Sequence, residues 1–600
     1  MTNLDKIAEI FPEVITETAD NDGKLIRAID FEHLKQILSD ELLDGREAYV
    51  FNFVGKKKAE FEAHKPIKKT LLPIISDSRD FNTTKNLYIE GDNLDALKIL
   101  QESYLGKVKM IYIDPPYNTG NDFIYRDDYK QDADAFDDAA QLLDDDGNRL
   151  LNRESRGRFH SDWCAMIYSR LLIAKHFLSK DGVIFISIDD HEQANLKKIC
   201  DEVFGERNFV ADILWNSTKS VTNTALISVS HTHNLVYFKN IDYFICHRTE
   251  FRLPDDGEGF SNPDNDPRGD WKGDNFQVGG WRPNQQYEIV NPKTGKIYKP
   301  NPGNSWKNDY EHFQKLLADN RIVFGKEGNT GPQRKRFKFE AIERGKVTTT
   351  WWDDVETTSN GTQLLKKIFD GKITFNNPKP VSLIKKFLRL ATRKDSIVMD
   401  FFSGSATTAH AVMELNAQDG GNRKFIMIQI DEATPENSEA RRAGYHSICE
   451  IGRERIRRAG DKLKSANPNL DVGFRVLKVD SSNFKPVPTD FDELLLFVEN
   501  IEPDRNPYDL LFETLLDLSM TLDKTFGEEE IDGFKVLSYD DGKILACFDK
   551  NVKEETFRTL ATRKAKKIIF RDSCFASSSI KINALAFFKE FAPDTKVRVL

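Results

Sequence analysis

The stretch KMIYIDPPYNTG, residues 109–120, decides how we interpret the fold of this chain. Its first residues, KMIYI, are largely apolar, and a carboxylate, two prolines and an aromatic residue follow them. This pattern predicts a buried parallel strand that ends in a rigid turn. The chain therefore places Asp114, a reactive side chain, where the strand stops.

The two prolines determine what this turn can bind. Pro115 and Pro116 fix φ and lack an N–H group, so carbonyl oxygens near them are not claimed by a helix. A carbonyl and the Asp114 carboxylate are two adjacent acceptors for an exocyclic amine, and Tyr117 offers a flat face for the ring that carries it. The turn predicts a pocket for an amino-purine or amino-pyrimidine. The alternative is a surface aspartate in a proline-rich turn that ends a strand.

Composition and length indicate a soluble protein of several domains. The chain has 600 residues, of which 39% are hydrophobic and 30% charged, and at ~150 residues per domain we expect about four domains. We find neither an apolar run near the ~18 residues that span a bilayer nor a basic leader followed by an apolar segment, so we expect a cytoplasmic protein. The net charge of -10 argues mildly against a nucleic-acid binder, although a local basic face can dominate an acidic whole.

Strands and helices alternate in the first half of the chain. Residues 86–240 read as β-α-β units, which predict a doubly wound parallel sheet with ligands at the carboxyl ends of its strands. Asp92, Asp114 and Asp189 fall at such ends. Each could instead cap a helix, and for Asp189 we favour the cap. The aspartate-rich segment 132–146 is predicted to be a solvated loop.

The middle of the chain changes character. Residues 241–355 become rich in Gly, Pro, Asn, Trp and Tyr, which predicts an inserted domain of short strands and loops. Near its end, basic residues interleave with Phe337 and Phe339, a pattern that suits phosphates and unstacked bases. The alternative is a charged edge strand. The basic candidates for DNA contact are Arg334, Lys335, Arg336 and Lys338.

The α/β pattern then resumes. The segment SIVMDFFSGSATTAHAVMELN, residues 396–416, reads as a strand, a turn of small residues and a helix. Small residues let a backbone approach a ligand at a helix N-terminus. Asp431 lies 431 − 404 = 27 positions beyond Gly404, at the end of the next strand, where an acidic residue can bind a ribose. Residues 471–600 carry no catalytic constellation, and we expect a scaffold or partner-docking unit there.

Together these motifs resemble a known family. Asp114 to Tyr117, DPPY, resembles the catalytic motif of amino-group DNA methyltransferases, and DFFSGS at residues 400–405 resembles their S-adenosylmethionine motif. The catalytic motif precedes the cofactor motif, which resembles the permuted β class. More specifically, LYIEGDN, TTTWW, NNPKPVSLIKKFL and GFRVLKVDSSNFK resemble modification (Mod) subunits of type III restriction-modification systems. The resemblance runs from about residue 45 to the end.

The resemblance implies an architecture. It is α/β, with a circularly permuted Rossmann-like methyltransferase sheet, an inserted target-recognition domain and a small α/β C-terminal domain. The implied units are an N-terminal helical extension (1–75), a catalytic half (76–240), a target-recognition domain (241–355), a cofactor-binding half (356–470) and a C-terminal docking domain (471–600).

The resemblance also implies site residues. A flipped adenine is assigned to Asp114, Pro115, Pro116 and Tyr117. The residues assigned to the cofactor are Asp92 near its adenine, Asn377 and Lys379 near its carboxylate, Asp400, Phe402, Ser403, Gly404 and Ser405 along the turn, and Gln429 and Asp431 as competing candidates for the ribose. Ala406 stands where many relatives have a second glycine, and we expect the change to be tolerated with a negative φ.

The implied function is site-specific transfer of a methyl group from S-adenosylmethionine to adenine N6 in double-stranded DNA. The implied partners are a second copy of the chain and a separate ATP-dependent restriction (Res) subunit, and the sequence contains no G-x-x-x-x-G-K-[ST] motif of its own. No step requires a metal, and we predict structural roles for the histidines, including His231 and His233. The alternatives are an N4-cytosine methyltransferase, a solitary methyltransferase and a non-catalytic DNA-specificity scaffold; Asp before Pro-Pro favours adenine within the family.

Overall fold

The computed structural model describes residues 7, 14–19, 25–29, 51–119, 159–325, 328–485 and 500–600. The chain divides into two compact units, residues 1–52 and 53–600. In the first unit, β1 (Ile15–Ala19) and β2 (Leu25–Ile29) form an antiparallel hairpin. The N-terminal extension is predicted to be helical, but its residues 15–19 and 25–29 form this hairpin. Residues 30–50 and the aspartate-rich segment 132–146 lie outside the described residues.

The second unit begins with alternating helices and strands. They are α1 (Lys56–His64), β3 (Lys69–Pro73), β4 (Leu87–Glu90), α2 (Asn93–Tyr104), β5 (Val108–Ile113), α3 (Phe159–Phe177), β6 (Leu178–Ile188), α4 (Gln193–Cys200), β7 (Phe209–Trp215) and β8 (Thr232–Phe238). The sequence predicts this alternation for residues 86–240, and α1 and β3 precede it.

The inserted domain follows, and it consists of short strands with three short helices. Its elements are α5 (Ile241–Cys246), β9 (Trp271–Asn275), β10 (Gln277–Gly279), β11 (Ile289–Val290), β12 (Ile297–Tyr298), β13 (Asn304–Trp306), α6 (Tyr310–Ala318), β14 (Ile322–Val323), β15 (Gln333–Phe337) and α7 (Lys338–Arg344). Aromatic side chains form its small core, including buried Phe276, Trp306 and Phe313.

The remaining elements complete the large sheet and build the C-terminal domain. They are β16 (Trp351–Trp352), α8 (Thr358–Ile368), α9 (Val381–Ala391), β17 (Ile397–Asp400), α10 (Thr407–Asp419), β18 (Lys424–Gln429), α11 (Glu439–Arg442), α12 (Ile448–Ala466), β19 (Arg475–Ser481), α13 (Pro507–Asp517), β20 (Phe526–Ile531), β21 (Phe534–Tyr539), β22 (Ile544–Cys547), α14 (Glu554–Thr562), β23 (Lys567–Phe570), α15 (Ser578–Phe591) and β24 (Lys596–Val599). Strands β20 to β24 form a separate five-stranded sheet in sequence order.

The large sheet has ten strands in the order β16-β7-β8-β6-β5-β17-β18-β4-β19-β3. Its centre is parallel, and β5 pairs directly with β17 in the register Met110↔Val398. Every residue of β5 is buried, because helices cover both faces of the sheet. Two strands that are far apart in the sequence therefore end at the same edge, which confirms the permuted α/β sheet.

The large sheet differs from the sequence expectation in two respects. Strand β8 runs antiparallel to both β6 and β7, so the sheet is mixed. Strands β3, β16 and β19 belong to the large sheet, although their residues fall outside the two halves predicted to build it. Strands β16 and β3 are short strands at the two edges of the sheet, and β19 is partly exposed. Such strands carry a weak sequence signal, which is why these boundaries shift. No helix among the described residues has the length and apolar character that crossing a membrane requires.

Candidate active site

The turn after β5 holds a polar pair. The Tyr117 hydroxyl donates a hydrogen bond to Asp114 Oδ1 at 2.8 Å, and both residues are half-buried. Burial and the neighbouring Asp114 carboxylate raise the pKa of Tyr117 well above its usual range. The phenol therefore keeps its proton and acts as a donor to Asp114.

Contacts that the sequence did not predict fix the backbone of this turn. Trp163 Nε1 donates to the Pro116 carbonyl at 2.7 Å. Asn118 is buried in the left-handed region at φ 62° and its amide donates to Glu192 Oε1 at 2.6 Å. His160 Nδ1 contacts the same oxygen at 2.6 Å. Asparagine tolerates positive φ better than most residues. The identity of Asn118, directly after the motif, could therefore have indicated a left-handed residue in this turn.

Lys379 reaches the turn after β5 from the second half of the chain. Its Nζ donates to Asp114 Oδ2 at 2.5 Å and lies 5.0 Å from the centroid of the Tyr117 ring. Helix α8 packs closely beside this segment at Gly361, where an added Cβ would lie 2.3 Å from the Pro378 carbonyl oxygen. The structure thus joins Lys379, which the resemblance assigns to the cofactor, to Asp114, which the resemblance assigns to the base.

Asp400 ends β17 beside β5, and its carboxylate is bonded within its own turn. Oδ1 accepts a hydrogen bond from the Phe402 N–H at 3.1 Å, and Oδ2 accepts one from the Thr408 hydroxyl at 2.6 Å. Burial raises the pKa of Asp400 to about 7, and the Asp114 charge adds a smaller shift in the same direction. The side chain of Asp400 therefore shapes the turn.

The backbone of the cofactor turn has two left-handed residues. Gly404 has φ 51°, and its N–H donates to Gln429 Oε1 at 2.7 Å. The expectation of a negative φ at Ala406 is wrong: its φ is 59°, because the chain enters α10 through a left-handed N-cap. Gln429 is buried, whereas Asn377 and Asp431 are exposed. Of the two ribose candidates, Asp431 presents its side chain to solvent.

The other small residues of the turn face the protein interior. The Ser405 hydroxyl accepts a hydrogen bond from Arg455 Nη1 at 2.9 Å, and the Thr407 hydroxyl accepts one at 2.6 Å. Burial lowers the pKa of Arg455 to about 9. Phe402 and Ser403 are also buried, each with an exposed fraction of 6%. This arrangement anchors the turn to α12 and leaves its backbone as the surface available to a ligand.

The two other strand-end aspartates have different local roles. Asp92 caps α2 by accepting from two backbone N–H groups of its first turn, which confirms the capping alternative, and Arg170 Nη2 lies 3.2 Å from its Oδ2. The predicted cap at Asp189 is wrong. Glu192 is the N-cap residue of α4, and Asp189 instead accepts from the His191 N–H at 3.0 Å in a local turn.

The basic stretch of the inserted domain lies on β15, the central strand of a three-stranded sheet. Side chains alternate between the two faces of a strand. Lys335 is fully buried and its Nζ binds Asp264 at 2.5 Å and Asp266 at 2.9 Å. Its predicted role in DNA contact is therefore corrected: Lys335 is a structural cation that phosphates do not reach.

The neighbours of Lys335 remain accessible. Arg334 is exposed, and Arg336 and Lys338 are partly exposed. Phe337 is buried, so of the two predicted stacking rings Phe339 alone has a large exposed fraction, 52%. The prediction of a basic and aromatic face therefore applies to part of the stretch.

The chain is similar in sequence to several known proteins. Residues 108–439 match the DNA methylase family. The Mod subunit of the type III restriction-modification enzyme StyLTI of Salmonella typhimurium is 36% identical over 79% of this chain and 73% of its own length. The Mod subunit of the EcoPI enzyme of Escherichia phage P1 is 35% identical over 78% of each chain. The type II methyltransferase M.KpnI of Klebsiella pneumoniae is 31% identical over 66% of this chain and 91% of its own length.

Proposed function

This chain belongs to the DNA methylase family and, within it, to the modification subunits of type III restriction-modification enzymes, and we propose that it methylates N6 of an adenine that has left the DNA helix. As a member of this family it is an S-adenosylmethionine-dependent DNA methyltransferase. The proposal concerns which of its residues receive the base, the cofactor and the DNA.

One contact carries the assignment of the base pocket. Asp114 Oδ2 already accepts a hydrogen bond from an N–H donor, the Lys379 ammonium, at 2.5 Å. An exocyclic amine is also an N–H donor, and it can take the same place on the carboxylate. Lys379 also lies over the Tyr117 ring, where a base would stack. We therefore infer that the Lys379 side chain occupies the adenine site in the absence of DNA and moves away when the base enters.

Stacking in the pocket can offset part of the free-energy cost of moving the base out of the helix. Unstacking and unpairing a base costs a few kcal/mol, and stacking on one aromatic side chain contributes ~1–3 kcal/mol. Tyr117 supplies that ring, and its hydroxyl is held by Asp114 at 2.8 Å. The ring is thus positioned before the base arrives.

Two acceptors prepare adenine N6 for attack. The N6 lone pair is delocalised into the purine ring, so hydrogen bonds from the amine to Asp114 and to the Pro115 carbonyl help to localise it. The Pro116 carbonyl is bound by Trp163 at 2.7 Å, which fixes the turn beside the Pro115 acceptor. Orientation of this kind is worth up to ~7–11 kcal/mol in favourable cases.

The residues near the cofactor turn fit S-adenosylmethionine by their chemistry. The exposed Asp431 carboxylate suits ribose hydroxyls, Asp92 suits an amine, and Lys379 suits a carboxylate. At Gly404 an added Cβ would lie 3.2 Å from the Phe375 ring, so a side chain there would crowd that ring and the turn keeps a bare backbone. When bound, S-adenosylmethionine supplies an activated methyl group on its sulfonium. This chain orients that group towards the pocket formed by Asp114 and Tyr117.

The inserted domain is assigned to DNA recognition. Arg334 and Arg336 keep exposed surface on β15, and Lys338, the first residue of α7, does so directly after that strand. These positions suit contact with phosphates. Phe339, beside them, offers an exposed ring. These contacts position the duplex, whereas base-specific contacts need other side chains of the domain.

The type III relatives are named as Mod subunits of restriction-modification enzymes. We assign a homodimer and a separate ATP-dependent Res subunit as partners, and the C-terminal domain as a docking unit. The similarity to M.KpnI, a type II methyltransferase by its name, favours a second candidate: a methyltransferase that works without a restriction subunit. Copurification of the chain with a helicase-nuclease partner from its native host would support the first candidate.

Expression in a host that lacks adenine methylation tests the proposal. Native DNA from that host is sequenced with a method that detects modified bases. We expect N6-methyladenine within one short sequence motif and none with Asp114→Ala. N4-methylcytosine within a motif would instead support a cytosine methyltransferase.

A further inference from the structure

Two histidines and one aspartate converge beside the catalytic edge of the sheet. Asp190 Oδ1 lies 3.0 Å from His233 Nε2 and 3.9 Å from His231 Nε2. Within the described residues, these three side chains form a group whose ligand atoms all lie within 4.8 Å of one another. Methyl transfer, as derived above, uses none of them.

The fold explains why the three side chains meet. Asp190 lies two residues beyond β6, and β8 runs antiparallel to β6 with Ile188 opposite His233. His231 and His233 are two positions apart, so an extended backbone turns both side chains to one face. This H-T-H pattern therefore presents two imidazoles to the aspartate from the neighbouring strand.

An outer shell fixes the orientation of one imidazole. His233 Nδ1 lies 2.7 Å from Asp212 Oδ2, and Gln193 Nε2 donates to the same oxygen at 3.0 Å. A carboxylate at Nδ1 places the proton on that nitrogen and leaves the lone pair on Nε2. That lone pair faces the Asp190 oxygen, and two such acceptors 3.0 Å apart need a cation between them.

The cation could be a proton or a metal ion, and His231 distinguishes the two. A second proton on His233 would satisfy the contact with Asp190, but it gives no role to the His231 nitrogen that faces the same oxygen. A zinc ion bonds to nitrogen and oxygen at about 2.0–2.1 Å in tetrahedral sites, which separates the ligand atoms by roughly 3.3 Å. The two separations from Asp190, 3.0 and 3.9 Å, lie on either side of that value.

We propose that Asp190, His231 and His233 bind a divalent transition metal, with zinc the best match, and that Asp212 supports the site from the second shell. Two imidazoles and a carboxylate suit borderline metals such as zinc. The side chain of Asp190 is 55% exposed, so water can complete the coordination. The ion would link the ends of β6 and β8, at the sheet edge where Asp114 also lies. Its role is therefore to stabilise this edge.

Metal binding to the full chain, prepared without a histidine tag and stripped of metal, tests the proposal. Zinc is titrated against a chromophoric chelator, and cobalt, which gives visible absorption in tetrahedral sites, is the second probe. We expect one equivalent per chain. His231→Gln, which keeps the contact between His233 and Asp212, should weaken zinc binding by ~100-fold or more, and Asp212→Asn by ~10–100-fold.

His191→Ala is the matched control, because His191 is a nearby histidine paired with Asp189 and lies outside the cluster. It should bind zinc like the wild type. Zinc should also raise the melting temperature of the wild type and of His191→Ala, but not of His231→Gln. The proposal is overturned if His231→Gln binds zinc as tightly as the wild type, or if the wild type does not bind one equivalent.

Discussion

Lys379 and Asp114, which are 265 positions apart in the chain, form an ion pair of 2.5 Å between Nζ and Oδ2. The same ammonium lies over the ring of Tyr117. It thus occupies both the acceptor and the aromatic face that we assign to adenine. Binding of the base therefore has to break this pair, and the cofactor carboxylate is the partner to which we expect Lys379 to move.

Lys379→Gln should weaken S-adenosylmethionine binding by about tenfold or more, because a hydrogen bond to a charged group contributes ~1.5–3 kcal/mol. Calorimetry measures this affinity, with decarboxylated S-adenosylmethionine as a second ligand that should lose little. Lys385→Gln is the matched control, since Lys385 pairs with Glu414 at 2.9 Å. If Lys379→Gln binds S-adenosylmethionine as tightly as the wild type does, Lys379 does not contact the cofactor and pairs with Asp114 only.

The combined change of Arg334, Arg336 and Lys338 to alanine should reduce the salt dependence of DNA binding. Each lost phosphate contact reduces the magnitude of the slope of log K against log salt by ~0.9. The loss of three contacts should therefore reduce this magnitude by about 2 to 3. Fluorescence anisotropy at several salt concentrations measures it. Equal slopes for variant and wild type would remove these residues from the DNA interface.

Lys335→Ala, one position away, should behave differently. Its ammonium is buried against Asp264 and Asp266, and removing one partner of a buried ion pair typically costs ~3–5 kcal/mol. We expect a lower melting temperature and an unchanged salt slope for DNA binding. A reduced slope without loss of stability would mean that Lys335 contacts phosphate.

Ala406→Gly should stabilise the protein, because Ala406 has φ 59° and left-handed backbone costs a non-glycine residue ~1–2 kcal/mol. The gain is partly offset by the greater freedom of glycine in the unfolded chain. A higher urea midpoint is the expected result. Ala417→Gly, within α10, is the control. It should lower the free energy of unfolding by ~1 kcal/mol and so lower the urea midpoint. If both variants lose stability, the backbone at Ala406 is not strained.

Asp400 should make the stability of the cofactor-free protein depend on pH. Burial raises its pKa from 3.8 to about 7, so folding favours the protonated acid. Its contribution is fully present below the unfolded pKa and is lost as the pH rises through about 7. The melting temperature of Asp400→Asn should therefore rise relative to that of the wild type as the pH is raised from 5 to 8. A difference that does not change with pH would mean that Asp400 is ionised in the folded protein.

The sequence predicted the elements whose signal is local. The apolar run before Asp114 identified β5, and the small-residue turn after Asp400 identified the cofactor turn. The direct pairing of β5 with β17 depends on the whole topology. The resemblance to permuted methyltransferases supplied that order, whereas spacing alone did not.

Contacts between distant side chains were beyond sequence reasoning. The pairing of Lys379 with Asp114 joins two halves of the sheet across an inserted domain. Lys335 appears in the sequence as one of several basic residues, and its burial depends on two aspartates about 70 positions earlier. The positive φ of Ala406 likewise depends on how the turn meets α10.

Nucleoside mass spectrometry tests the central claim most directly. DNA is incubated with the purified chain and methyl-labelled S-adenosylmethionine, in parallel with Asp114→Ala, whose cofactor affinity is measured by calorimetry. We predict labelled N6-methyladenine with the wild type, none with Asp114→Ala, and similar cofactor binding by both. Labelled N6-methyladenine from Asp114→Ala at the wild-type rate would contradict the account, because methylation of adenine would then not require this carboxylate.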